Sequence, residues 1–130
     1  MLMKKYISSG AKWENIVGYS RAVRVGNIIE VSGTVASDGN NVVGMDDVYL
    51  QTKYILKKIE TALKEGDASL NDVVRTRIFV KNISKWREVA KAHQEVFGNI
   101  KPATSMIEVS SLISPLYLVE IEATAILDNQ

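Results

Sequence analysis

Residues 18–33 read GYSRAVRVGNIIEVSG. Two runs rich in β-branched residues meet at Gly26-Asn27, a pair suited to the two-residue turn of a β-hairpin because both residues tolerate positive φ. That turn predicts Val25 opposite Ile28, Val23 opposite Glu30, Arg21 opposite Ser32 and Tyr19 opposite Thr34. Opposed residues share a face of the sheet. The other face then carries Ala22, Ile29, Val31, Gly33 and Val35, is apolar apart from Ser20 and Arg24 near its ends, and needs a cover. Arg21 is expected on the opposite face, beside Tyr19 and Ser32.

The rest of the chain supplies that cover. In DDVYLQTKYILKKIETALKEG, Val48, Thr52, Ile55, Leu56, Ile59, Ala62 and Leu63 recur at three-and-four spacing, with Asp46 or Asp47 as N-cap and Gly66 as the stop. A second amphipathic helix is predicted after Ser84, with Trp86, Val89, Ala90, His93 and Phe97 on one stripe and Gly98 at its end. Trp86 and His93 read as core residues. DVVRTRIFV, ATSMIEVSSL and YLVEIEATAIL read as strands. Hairpin, helix, strand, helix, strand and strand in that order predict an α+β fold: a mostly antiparallel sheet with two helices packed on one face.

Alternation in the strands places Val74, Thr76, Ile78 and Val80 against the helices with Val119, Ile121, Ala123, Ala125 and Leu127. The outer face gathers Tyr19, Arg21, Ser32, Glu30, Arg75, Arg77, Glu120 and Glu122. Such a face is an ordinary solvated surface in many antiparallel sheets. Here Val23, Val25, Ile28, Phe79 and Met106 are expected on it too, and an oligomer closing over it would remove their apolar area from water.

Composition narrows the function classes. The chain has 130 residues, 46% hydrophobic and 24% charged, which fits one domain spanning residues 1–130. The net charge of +1 offers no general attraction for nucleic acid or an anionic membrane. With no cysteine and one histidine, neither a thiolate nucleophile nor a Cys/His metal site is expected. No apolar run reaches the roughly 18 residues of a membrane span and the start does not read as a secretory signal, so a cytoplasmic location is expected.

RVGNIIEVSGTVA, DVVRTRIFVKNIS, KPATSMIEVSSL and LVEIEATAI together resemble the Rid family, also called YjgF-type or chorismate-mutase-like, over nearly the whole chain. The resemblance implies a homotrimer whose sheets form a central barrel, with helices outside and three ligand clefts between subunits. It implies hydrolysis of reactive enamines and imines such as 2-aminoacrylate, without metal or organic cofactor. In archetypal members an arginine after Pro-Ala clamps the substrate carboxylate, and a glutamate of the last strand positions water. Here Pro102-Ala103 is followed by Thr104, the glutamate corresponds to Glu120, Tyr19 and Ser32 fall on cleft positions, and Ala90 stands where an asparagine is frequent. A neutral hydroxyl does not replace a bidentate guanidinium. The chain therefore reads as a divergent member lacking the clamp, with 2-aminoacrylate turnover in question.

The residues expected at the site are Glu120 as catalytic group and Tyr19, Arg21, Ser32, Thr104 and Ser105 as ligand contacts, for a small anionic or imine-type metabolite. Arg21 either supplies the missing positive charge or pairs with Glu30, Glu120 or Glu122. A non-catalytic ligand-binding trimer is the alternative. An endoribonuclease or translation-inhibitor activity is a third class, which the near-neutral charge disfavours. Trp13 lies in a segment too irregular to place.

Overall fold

A computed structural model describes residues 3–128. A six-stranded sheet runs in the order β1 (Lys4–Ile7), β2 (Ala22–Val25), β3 (Ile28–Thr34), β8 (Val119–Ile126), β6 (Val73–Val80) and β7 (Ala103–Glu108). Neighbours are antiparallel except β6 and β7, which run parallel because α3 (Trp86–Phe97) carries the chain across. The remaining elements are a short helix α1 (Lys12–Val17), the small hairpin of β4 (Ser37–Asp38) with β5 (Asn41–Val42), and the long helix α2 (Val48–Glu65). This is the α+β architecture read from the sequence, with α2 and α3 forming the helical layer. The segment left unplaced around Trp13 is α1.

Local chemistry explains the main elements. Gly26 takes φ 60° in the β2–β3 turn, and Val25↔Ile28 and Val23↔Glu30 pair as expected. The Ser32 N–H donates to the Arg21 carbonyl at 2.9 Å, extending that register. Asp47 caps α2 by accepting from the Leu50 N–H at 3.0 Å, and Gly66 ends the helix. Ile55, Leu56, Ile59 and Leu63 of α2 are fully buried with Ile29, Ile78, Val119 and Ile121 of the sheet.

Two β-bulges change the faces that simple alternation predicts. In β3, Val31 pairs with Ala123 but Thr34 pairs with Ile121, so one extra residue is accommodated and Thr34 turns into the core, 1% exposed. The expectation that Tyr19 and Thr34 share the outer face therefore fails. In β6 the register shifts between Val73 and Arg75, so Val73 is buried and Val74, expected in the core, is 42% exposed. Thr76, Ile78 and Val80 keep their predicted inward positions.

Two further expectations are corrected. Trp86 lies outside the core, with the Arg87 guanidinium 4.6 Å from its ring centre. The buried face of α3 is instead Val89, Ala92 and Phe97. Met106 pairs with buried Ile78 and packs on the core from the helical side, because β7 joins β6 in parallel register. Val23, Val25 and Ile28, with Phe79, do lie on the face away from the helices, where Ile126 and Ile107 join them as cross-strand partners of Ile28 and Phe79. Among the described residues no helix is long and apolar enough to cross a membrane.

Gln51, fully buried on α2, fixes the loop that leads into β8. Its Nε2 donates to the Leu116 carbonyl at 3.0 Å and the Gly44 carbonyl at 3.2 Å, and its Oε1 accepts from the Leu118 N–H at 2.9 Å. Gln51→Leu keeps the volume but strands these backbone groups. Each buried unsatisfied group costs about 1–3 kcal/mol, so thermal unfolding should show a clear drop in Tm; an unchanged Tm would mean that the loop is held otherwise.

Candidate functional site

The β3 bulge brings Gly33 against β8. A Cβ built on Gly33 would fall on the Glu120 Oε2 and within 3.0 Å of its Cδ, so the glycine leaves the space in which the Glu120 carboxyl stands. Beside it opens a cleft of about 440 Å³. Tyr19, Arg21, Ser32, Gly33 and Glu120 line it, with Lys58 from α2 and the apolar side chains of Trp13, Val17, Val35 and Ile113.

Arg21 is 7% exposed and organises this cleft. Its Nη1 donates to the Gly33 carbonyl at 2.7 Å and Thr34 Oγ1 at 3.0 Å, and its Nη2 donates to the Tyr19 hydroxyl at 3.1 Å. Its nearest carboxylate is Glu14 of α1, with Nε 4.0 Å from Oε2. Arg21 is therefore not paired with Glu30, Glu120 or Glu122. Glu122 faces Arg77 at 3.7 Å, and Glu30 accepts from Thr124 at 2.6 Å.

The charges of the cleft are set by this geometry. Burial raises the pKa of Glu120, the nearby Glu122 charge adds to that, and Arg21 only partly opposes them. Lys58 donates to the Val35 carbonyl at 3.1 Å and to the Ser37 carbonyl at 3.0 Å, and burial brings its pKa down to about 8. Burial pushes the Glu14 carboxyl up, but hydrogen bonds from Ser9 and Ser8 and the Arg21 charge outweigh it, so Glu14 ionises below its usual range.

Not all the expected residues meet. Ser32 stays at the first cleft, its hydroxyl donating to the Ser20 carbonyl at 2.7 Å. Thr104 lines a second cleft of about 400 Å³, between α3 and β7, with Ala90, His93, Phe97 and Pro102. Ser105, one residue on, points to the other face of the sheet, where its hydroxyl accepts from Arg75 Nη2 at 2.9 Å. Adjacent strand residues face opposite ways, so Thr104 and Ser105 cannot serve one pocket within this chain. His93, half-buried, packs on Phe97 with its Nε2 2.9 Å from Thr76 Oγ1, the packed, hydrogen-bonded role read from its stripe, and it lines the second cleft rather than the core.

Sequence reasoning missed Glu14, Lys58 and the place of Trp13. Lys58 carried a signal: it lies three residues after Ile55 and four before Ala62, on the buried stripe of α2. Glu14 carried none, because it lies on a helix too short for periodicity to reveal.

Two outcomes test this geometry. Gly33→Ala should displace the Glu120 carboxyl and return its pKa toward the ordinary range, read by NMR titration of the Glu120 side chain; an unchanged value would show that Gly33 does not set the position of the carboxyl. Glu14 has a folded pKa below its unfolded one, so its contribution to stability is present above about pH 4.5 and is lost as pH falls through the folded value. Glu14→Gln should therefore flatten the acid limb of the stability profile, and an identical limb in wild type and variant would exclude this role.

Comparison with known proteins agrees with this fold. The sequence profile of the family described as Endoribonuclease L-PSP matches residues 10–127. A RutC family protein of Pyrococcus abyssi is 39% identical over 110 residues, covering 82% of this chain and 84% of its own. A protein of Acinetobacter baylyi named 3-aminoacrylate deaminase RutC is 32% identical, covering 82% of this chain and 85% of its own. Among solved structures, a Mycobacterium tuberculosis member of the YjgF/YER057c/UK114 family is 50% identical with a TM-score of 0.89, over 96% of this chain and all of that one. A Rid family protein of Yersinia pestis is 32% identical with a TM-score of 0.84, over 96% of this chain and 100% of that one. With profile, relatives and folds agreeing over nearly its whole length, the chain belongs to the Endoribonuclease L-PSP family, in which its relatives carry the names RutC, YjgF and Rid.

Proposed function

We propose that the protein is a small-molecule hydrolase of the imine or enamine deaminase type, with Glu120 as its general base. The observation that carries this reading is the Glu120 carboxyl standing over Gly33 in a half-buried cleft, its pKa raised by burial, beside the Arg21 guanidinium. A carboxylate so tuned can take a proton from water near neutral pH. Water adds to the carbon of a protonated imine as Glu120 takes its proton. Glu120 then returns that proton to the nitrogen, the C–N bond breaks with its electron pair going to nitrogen, and Glu120 passes the hydroxyl proton of the adduct to the departing ammonia, so that a carbonyl compound and ammonium leave. Arg21 and Lys58 make the cleft suitable for an anionic substrate, and the relative named 3-aminoacrylate deaminase supports the reaction class.

A homotrimer belongs to the same reading. The apolar residues Val23, Val25, Ile28, Phe79, Ile107 and Ile126 on the face away from the helices need a cover, and Tyr19, Arg21, Ser32 and Glu120 lie in a different cleft from Thr104. Packing of three copies around that face would bring one subunit's Thr104 to its neighbour's Glu120. The catalytic site would then be complete only between subunits.

The place of Thr104 favours a second reading, a ligand-binding trimer without turnover, because no arginine stands there to clamp a carboxylate. An RNA-directed activity has less support, since the net charge is +1.

Light scattering should report a trimer, and a monomer at micromolar concentration would remove the shared cleft. Ammonia release from imino acids generated in situ should be accelerated, with 2-aminoacrylate a poor substrate. Glu120→Gln should lower turnover by about 10²–10⁴-fold while leaving the trimer intact. The acid limb of kcat/KM should lie above the ordinary carboxylate range, because the base is lost only when a carboxyl of raised pKa protonates. No acceleration in the wild type would favour the binding reading.

A further inference from the structure

Thr104 ends a chain of hydrogen bonds whose direction can be worked out from the atoms in it. Thr76, fully buried on β6, has its Oγ1 2.9 Å from His93 Nε2 and 2.8 Å from Thr104 Oγ1. Thr104 Oγ1 in turn lies 3.1 Å from the Pro102 carbonyl oxygen. A carbonyl only accepts, so only the Thr104 proton can make that last contact. With its proton spent there, Thr104 must accept from Thr76. Thr76 has then used its own single proton and must accept from His93 Nε2–H. The order His93 to Thr76 to Thr104 to Pro102 satisfies all three contacts, whereas the reverse order leaves the Pro102 carbonyl without its donor. Burial lowers the His93 pKa and favours the neutral ring, which needs its one proton on Nε2 to serve this order.

We infer that Thr104 presents lone pairs and no proton to its cleft, so that this position recognises an N–H donor of the ligand rather than a carboxylate. A free threonine hydroxyl can donate one neutral hydrogen bond, a diminished substitute for an arginine. The hydrogen-bond chain reverses its polarity. A carboxylate placed against Thr104 meets lone pairs, whereas a protonated imine, an amidine or a primary amide meets an acceptor. Phe97, Ile78 and Met106 provide apolar surface beside this hydroxyl, and of the other polar side chains lining the cleft His93 is engaged with Thr76 while Gln94 and Lys101 complete the wall. Resting on the hydrolase reading and on the shared cleft, the substrate class becomes a small molecule with two ends. Its anionic group lies toward Arg21 and Lys58, and the nitrogen that will leave lies against Thr104. His93 and Thr76 are then positioning residues that act only through the Thr104 hydroxyl.

The single histidine makes the direction of the chain directly measurable. In the ¹⁵N-labelled protein, long-range ¹H–¹⁵N spectra should show the His93 ring as the Nε2–H tautomer; the Nδ1–H tautomer would overturn the inference. Propionamide and propionate then serve as matched probes that differ only in offering N–H or carboxylate. Propionamide should shift the Thr104 methyl and His93 ring signals, and propionate should not. Thr104→Val should weaken propionamide by roughly three- to tenfold, the worth of one neutral hydrogen bond, Thr104→Ser should restore it, and Thr104→Arg should reverse the preference. Propionate shifting Thr104 in the wild type as strongly as propionamide would also overturn the proposal. Loss of all imine turnover in the wild type, with the tautomer and amide preference intact, would sink the hydrolase reading while leaving this recognition in place.

Discussion

The buried guanidinium of Arg21 is the constraint around which this end of the molecule is arranged. A charge so enclosed needs acceptors for its donors and an opposing charge. The Gly33 carbonyl, Thr34 Oγ1 and the Tyr19 hydroxyl accept from its two terminal nitrogens, while its buried Nε makes no hydrogen bond and faces the opposing charge of Glu14 from α1 at 4.0 Å. The partners are fixed by separate stretches of backbone on β3, before β2 and on α1. The β3 bulge turns Thr34 inward and presents the Gly33 carbonyl, while α1 brings Glu14 from outside the sheet. Once these meet, Gly33 lies against Glu120, and one side of a cleft is formed with its carboxylate in place.

Glycine at residue 33 and the bulge depend on each other. Without the extra residue in β3, Thr34 would face outward and lose Arg21. A side chain at residue 33 would occupy the space of the Glu120 carboxyl. Loop closure adds a further condition: Gln51 ties the segment before β8 to α2, so the strand bearing Glu120 enters the sheet from a fixed point. A buried polar side chain on an otherwise apolar helix face thus has a consequence for the cleft some distance away.

Polarity distinguishes the two clefts of the chain. The cleft at Glu120 holds two cations and a carboxyl, with Trp13, Val17 and Ile113 as apolar walls. The cleft at Thr104 is mostly apolar, with Lys101 on its rim and a hydroxyl whose proton is directed inward to Pro102. In the proposed trimer these surfaces face each other, giving a ligand one charged end and one hydrogen-bond-accepting end. Substrate choice would then follow from loss of a positive charge at one point and its supply at another.

Periodicity alone determined the helices α2 and α3, the hairpin about Gly26-Asn27 and the inward residues of β8. These follow from local rules: a glycine-bearing turn sets a register, and an apolar stripe must be buried. It also brought Tyr19, Arg21, Ser32 and Glu120 into one list, since opposed and alternating positions can be counted. Counting fails where a strand gains a residue, and for that reason Thr34 and Val74 were assigned to the wrong faces, while the face of Met106 was set by the parallel register of β7 on β6. The partner of Arg21 was equally beyond reach, because Glu14 belongs to a six-residue helix whose position depends on contacts distant in sequence. The separation of Thr104 from Glu120, and the inward direction of its hydroxyl proton, were likewise decided only by tertiary structure. Both depend on β7 lying parallel to β6 beneath His93, a long-range pairing that no local pattern encodes.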